Sequence, residues 1–251
     1  MSPARLTIPS AYWSTAQAPR YSVTFAFPLL LLYEALAVLL SRFDLAGVRN
    51  GADVLLKQLF VGLGGRYGLV LFGLILVGGG AGLVLKDLRR SPGIQQRYFL
   101  FMAAESILYA LAFGLVAGTL TGLLLPRVAL AAETLARGAT PASGLPAQLM
   151  VSLGAGIYEE LLFRVLLVSG LIGIARRVFG WSRTGATTFG ILVGAVIFSA
   201  FHYVGPYGDR FTLGSFTFRA VAGLLFSGLY VLRGFGITAW THALYDVFLA
   251  L

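Results

Sequence analysis

The sequence predicts an all-α fold, a polytopic transmembrane bundle of about seven helices. Three observations predict it. Hydrophobic residues make up 58% of the chain and charged residues 12%, with a mean hydropathy of +0.85, a balance that an ordinary water-facing surface does not show. The apolar residues are gathered into runs near the roughly 20 residues needed to cross the hydrocarbon core. The runs are continuous, whereas strands of a lipid-spanning barrel would alternate apolar and polar residues over about 10 positions.

In chain order the runs fall at 21–41, 67–85, 98–125, 147–172, 185–204, 214–232 and 236–251. In the first run the small-x-small match Ala35-Leu36-Ala37 is followed by more apolar chain, so the run reads as a retained first helix and not as a cleaved signal. Between the runs, 51–64 and 127–137 mix apolar residues with Asp53, Lys57, Gln58, Glu133 and Arg137, the pattern of interfacial helices or loops. Gly114, Gly118 and Gly122 repeat at four-residue spacing, as do Gly78 with Gly82 and Gly190 with Gly194. Small residues so spaced let helices approach closely in lipid. No connection is long enough for a separate soluble domain and no internal repeat is visible. The expected organisation is one integral membrane domain over 1–251, with N-terminal helices in 1–146 and the motif-bearing helices in 147–251.

The net charge is +9, but Lys and Arg are spread over the connections in small groups, which points to anionic headgroups and away from nucleic acid. They weigh slightly toward the side of the N-terminus, which is therefore expected in the cytoplasm, in a multi-pass protein of the plasma (cell inner) membrane. Cysteine is absent, excluding disulfides, thiolate catalysis and cysteine-ligated metal centres.

Against this background the ionisable residues inside the runs carry the functional signal. A charge at bilayer depth costs roughly 2.5 to 3.5 kcal/mol on insertion scales, so its default reading is a functional site facing the protein interior. Glu159-Glu160-Leu161-Leu162-Phe163-Arg164 sets three such groups in one run. Residues four apart share a helix face, so Glu160 and Arg164 can pair, either as an internal ion pair or as support for a site. Glu159 turns toward a different neighbour and is the candidate for chemistry.

Phe198 and His202 share a face near the end of a later run, where His202 taken alone reads equally as a helix cap or an interfacial group. His242 and Asp246 repeat the spacing in the C-terminal run, and these are the chain's 2 histidines. A carboxylate and two imidazoles around a water-filled notch can activate water and hold an oxyanion, the two requirements of amide hydrolysis inside the membrane. Ser199 lies on a different face from His202, and no serine sits in an evident nucleophile motif. Two histidines with nearby carboxylates also suit a zinc or other divalent site, although the helix signature His-Glu-x-x-His is missing. The non-enzymatic alternatives are an immunity or scaffold protein and a proton-coupled carrier. Glu34 and Glu105, inside helices, give the carrier some substance, and hydrogen bonds to neighbouring helices through Tyr33, Ser106 or an arginine are their plainer explanation.

Three ordered motifs, Glu-Glu-x-x-x-Arg (Glu159, Glu160, Arg164), Phe-x-x-x-His (Phe198, His202) and His-x-x-x-Asn/Asp (His242, Asp246), resemble those of the CPBP intramembrane proteases, the ABI or Rce1-like, CAAX-processing type. The resemblance covers roughly 147–251. It implies a glutamic intramembrane endopeptidase without a cofactor, acting on a membrane protein or lipid-bearing peptide among membrane lipids. In that scheme Glu159 is the general base on water and His202 positions or activates the water. His242 and Asp246 stabilise the oxyanion, and Glu160, Arg164 and Phe198 support the site. CAAX-processing members carry Asn where this chain has Asp246. An ionised Asp cannot donate a hydrogen bond, so Asp246 must be protonated or must orient His242 instead.

Overall fold

The computed structural model describes residues 10–41, 49–91, 93–125, 144–205 and 208–251. All of the expected runs are helical, and no strand occurs among the described residues. The helices are α1 (Ser10–Thr15), α2 (Pro19–Leu40), α3 (Gly51–Gly64), α4 (68–90), α5 (Gln96–Leu124), α6 (145–177), α7 (Arg183–Phe201), α8 (Leu213–Arg233) and α9 (Phe235–Ala250). Five stretches are long and apolar enough to cross a membrane: α2, the run Gly51–Arg90, α5, α7 and α8. Helix α6 carries Glu159, Glu160 and Arg164, and α9 has only 16 residues. Leu63, Leu108, Leu115 and Leu123 project outward as an apolar surface that water would not tolerate and lipid does. The chain is an integral membrane protein.

Two expectations need correcting. The stretch 51–64 is a helix whose Asp53 and Lys57 turn inward, where an interfacial helix would turn its charges to the headgroups, and Gln58 alone of its expected polar residues stays exposed. Asp53 is fully buried, and its carboxylate meets Lys57 Nζ at 2.7 Å and Arg49 at 3.0 Å. The cluster is completed by neighbours on α2 and α6: Tyr33 donates to Asp53, and Lys57 donates to Glu34 and lies over the Tyr158 ring. The chain then reverses through Gly65 at φ 52°, and α4 packs back on α3, with Phe60 and Phe72 ring centroids 5.2 Å apart. The stretch 127–137 lies outside the described residues. The glycines divide: Gly190 and Gly194 fit against Ile172 and Val168 of α6, and Gly114 against Tyr245, whereas Gly78, Gly82 and Gly118 have no close neighbour among the described residues.

The packing that matters for the site surrounds α6. From Ala155 to Val168 this helix is wound in wider i to i−5 turns, a rare geometry concentrated at functional sites. At Gly156 a Cβ would lie 2.5 Å from the Ala239 carbonyl oxygen and 2.6 Å from Ala243 Cβ, so glycine there lets α9 touch the α6 backbone. At Gly154 a Cβ would meet Asn50 Cβ and Tyr33 Cε2 at 2.6 Å, so a second glycine admits the start of α3. The principal core joins these elements through Leu29, Tyr33, Met150, Ile157, Tyr158 and Ala239.

Candidate active site

The close contact of α6 with α9 brings the first and third motifs together. Glu160 is fully buried, and its Oε1 accepts from His242 Nδ1 at 2.6 Å and lies 3.0 Å from Arg164 NH1. The sequence-expected pair is therefore present and extends to a histidine on another helix. Arg164, also fully buried, holds its guanidinium 4.4 Å from the Phe198 ring centre and 5.4 Å from that of Phe226, a cation between aromatic faces. Phe198 of the second motif thus touches the arginine of the first. His242 stacks on Phe226 at 4.2 Å, and its Nε2 lies 3.6 Å from Asp246 Oδ2, an ion-pair distance too long for a hydrogen bond.

Glu159 faces away from that pair. Its Oε1 accepts from Asn50 Nδ2 at 2.8 Å, and its Oε2 lies 4.0 Å from His202 Nε2. His202 sits at the C-terminal cap of α7, where its Nδ1 donates to the Phe198 carbonyl at 2.8 Å; a carbonyl only accepts, so in the neutral ring Nε2 is the unprotonated nitrogen. An oxygen about 2.8 Å from both Nε2 and Oε2 would subtend about 90° between them, within the range water accommodates. Glu160 and Arg164 are sealed, whereas the side chains of Glu159, His202 and Asp246 are 11%, 23% and 29% exposed, so the notch opens on their side.

Ser199 donates to the Phe216 carbonyl at 2.7 Å, tying α7 to α8 on a face away from the notch. Glu34 accepts from Tyr158 at 2.6 Å and Lys57 at 3.0 Å; Glu105 accepts from Tyr12, Tyr109 and Arg233. Both follow the plainer reading of hydrogen bonds to neighbouring helices: the arginine expected among the partners is Arg233 at Glu105, whereas Tyr33 and Ser106 bond to Asp53 and the Met102 carbonyl instead. Among the described residues no group of three or more His, Asp or Glu is arranged as metal ligands. A large apolar cavity of about 1140 Å³ runs along the opposite face of α6, past Ile157, Leu161 and Val165, and none of the motif side chains lines it.

Asn50 and Phe226 were not singled out from sequence. For Asn50 a signal existed: Asn-Gly-Ala-Asp before a helical stretch is an N-cap pattern, and the Asn50 side chain caps α3 by accepting from Ala52 N–H at 2.9 Å. For Phe226 none existed, because its role arises from packing between helices distant in sequence.

No curated protein and no solved structure matches the chain. Residues 141–248, the segment that holds all three motifs, match the family model described as Type II CAAX prenyl endopeptidase Rce1-like, so this part of the chain is similar to that family.

Proposed function

We propose that the protein is a glutamic intramembrane endopeptidase that hydrolyses a peptide bond in a membrane-embedded or lipid-bearing substrate. The observation that carries the reading is the second oxygen of Glu159, turned toward the unprotonated face of His202 at 4.0 Å and reached from the notch, while the neighbouring Glu160 is sealed in the interior with its Oε1 held by His242 and Arg164. Water held between the two is deprotonated by Glu159 Oε2 as its oxygen attacks the scissile carbonyl carbon. The carbonyl becomes an oxyanion, the C–N bond breaks, and the amine leaves with the proton returned from Glu159. His242 donates to the oxyanion through Nε2 only with both ring nitrogens protonated. Glu160 at Nδ1 and Asp246 near Nε2 are the negative charges such an imidazolium needs. Asp246 accordingly serves as charge partner and orienting group for His242, the second of the roles open to it from sequence. Arg164 and Phe198 hold this frame.

The reading needs no cofactor, and metal analysis of the purified protein distinguishes it from a zinc-dependent one. We place the protein in the plasma (cell inner) membrane with a cytoplasmic N-terminus, on the slight charge bias of its connections. The test is a comparison of protein termini in membranes from cells carrying the native chain or Glu159→Gln at equal expression. New termini lost in the variant establish a peptidase and its cleavage sequence. Indistinguishable termini, with Glu159→Gln rescuing the phenotype of a null strain, would replace it with a scaffold, immunity factor or carrier. Turnover of a fully soluble peptide as fast as a membrane-embedded one would remove the substrate class.

A further inference from the structure

We infer that Asn50 is a positioning residue for Glu159, a role that rests on the peptidase reading and assigns part of the site to the N-terminal half of the chain. Asn50 is 4% exposed and is held at three atoms. Its backbone N–H donates to the Tyr33 hydroxyl at 3.3 Å, its side-chain oxygen accepts from Ala52 N–H at 2.9 Å, and its side-chain Nδ2 donates to Glu159 Oε1 at 2.8 Å. The Ala52 bond fixes which end of the amide is the oxygen, so the end facing Glu159 is the donor.

Behind this contact stands a rigid buttress. Tyr33 donates to Asp53 at 2.7 Å, and Asp53 is clamped by Lys57 and Arg49. The bare backbone at Gly154, one turn before Glu159, is what lets Asn50 and Tyr33 reach α6. A carboxylate free to rotate exchanges its two oxygens. With Oε1 held by Asn50, Oε2 stays turned toward His202, and the neutral donor supports the carboxylate without the competing positive charge that an arginine or lysine would bring.

Asn50→Ser separates positioning from folding, because serine caps a helix about as well as asparagine but is too short to reach Glu159. The full chain in detergent, its Asn50→Ser, Glu159→Gln and Glu159→Ala variants and the Asn50→Ser/Glu159→Ala double variant are compared in turnover of the membrane peptide identified by the terminus comparison, and in thermal melting. The expected result is a kcat for Asn50→Ser at least about tenfold down with KM within about twofold, and melting shifts of Asn50→Ser and Glu159→Ala that fail to add in their double variant by roughly 3 °C or more. A kcat within about twofold of the native value while Glu159→Gln is inactive overturns the role of Asn50 and leaves the peptidase reading standing. A loss carried by KM, or additive melting, likewise overturns it. Full turnover by Glu159→Gln, or no termini that depend on the native chain, overturns the peptidase reading and the role of Asn50 with it.

Discussion

Two buried acidic sites in this molecule use their carboxylates differently. Glu105 is enclosed at the junction of α1, α5 and α8: Tyr12 and Arg233 NH2 bind Oε2 at 2.6 and 2.9 Å, and Tyr109 and Arg233 Nε bind Oε1 at 2.8 and 2.5 Å. Arg233 in turn lies 4.3 Å from the Trp13 ring centre and donates to the Trp13 carbonyl at 2.7 Å. Both oxygens are saturated, and the cluster pins the N-terminal turn to the bundle. Glu159 has one donor on Oε1 and, among the described residues, no hydrogen bond on Oε2, which faces His202. Burial alone therefore does not separate the carboxylate proposed for catalysis from a structural one. What distinguishes Glu159 is unspent accepting capacity, aimed at a second titratable group and reached from an open notch.

Breaking the arginine in either cluster should have the largest effect. Arg164→Met leaves Glu160 buried without its cation and Arg233→Met does the same to Glu105, so each should lower stability by about 3 to 5 kcal/mol, read as a fall in melting temperature of the purified protein. The carboxylates should then separate the two sites. Glu159→Gln should lower turnover by about 100-fold or more with little change in melting, because the amide keeps the size and an acceptor for Asn50 but cannot take a proton. Glu105→Gln should lower melting while the folded fraction turns over within about twofold of the native rate. Reversal of that pattern would exchange the roles assigned to the two clusters.

Within the site, Glu160→Gln should lower turnover less than Glu159→Gln, by roughly tenfold, since it weakens the frame around His242 without removing the base. Equal and complete loss from both variants would show that the two glutamates act as one unit. The smallest expected effect is that of a divalent-metal chelator, which should leave the rate within about twofold. Loss on chelation with recovery on adding zinc would replace the general-base scheme with a metal-bound water.

The sequence legibly carries the helical class, because lipid forces continuous apolar runs, and it carries the pairing of Glu160 with Arg164, because four residues on one helix suffice to bring them together. It also carries the grouping of the motif residues, since charges of this kind in apolar runs have few low-cost places to go except toward one another. What sequence reasoning could not reach is which atoms meet across helices. That Glu160 and not Glu159 takes His242, that Phe226 sandwiches Arg164 with Phe198, and that Asp53 turns inward all depend on helix rotation and depth of contact. Those are set by close approaches at Gly154 and Gly156 between segments far apart in the chain.

The sequence by itself determined that this protein is a helical membrane bundle with three charge-bearing motifs, because hydropathy and local spacing act within a single helix. Only the tertiary structure decided that the Glu159 carboxylate is held by an asparagine from the other half of the chain. A hydrogen bond between residues 109 positions apart is selected by the packing of whole helices, to which local sequence pattern is blind.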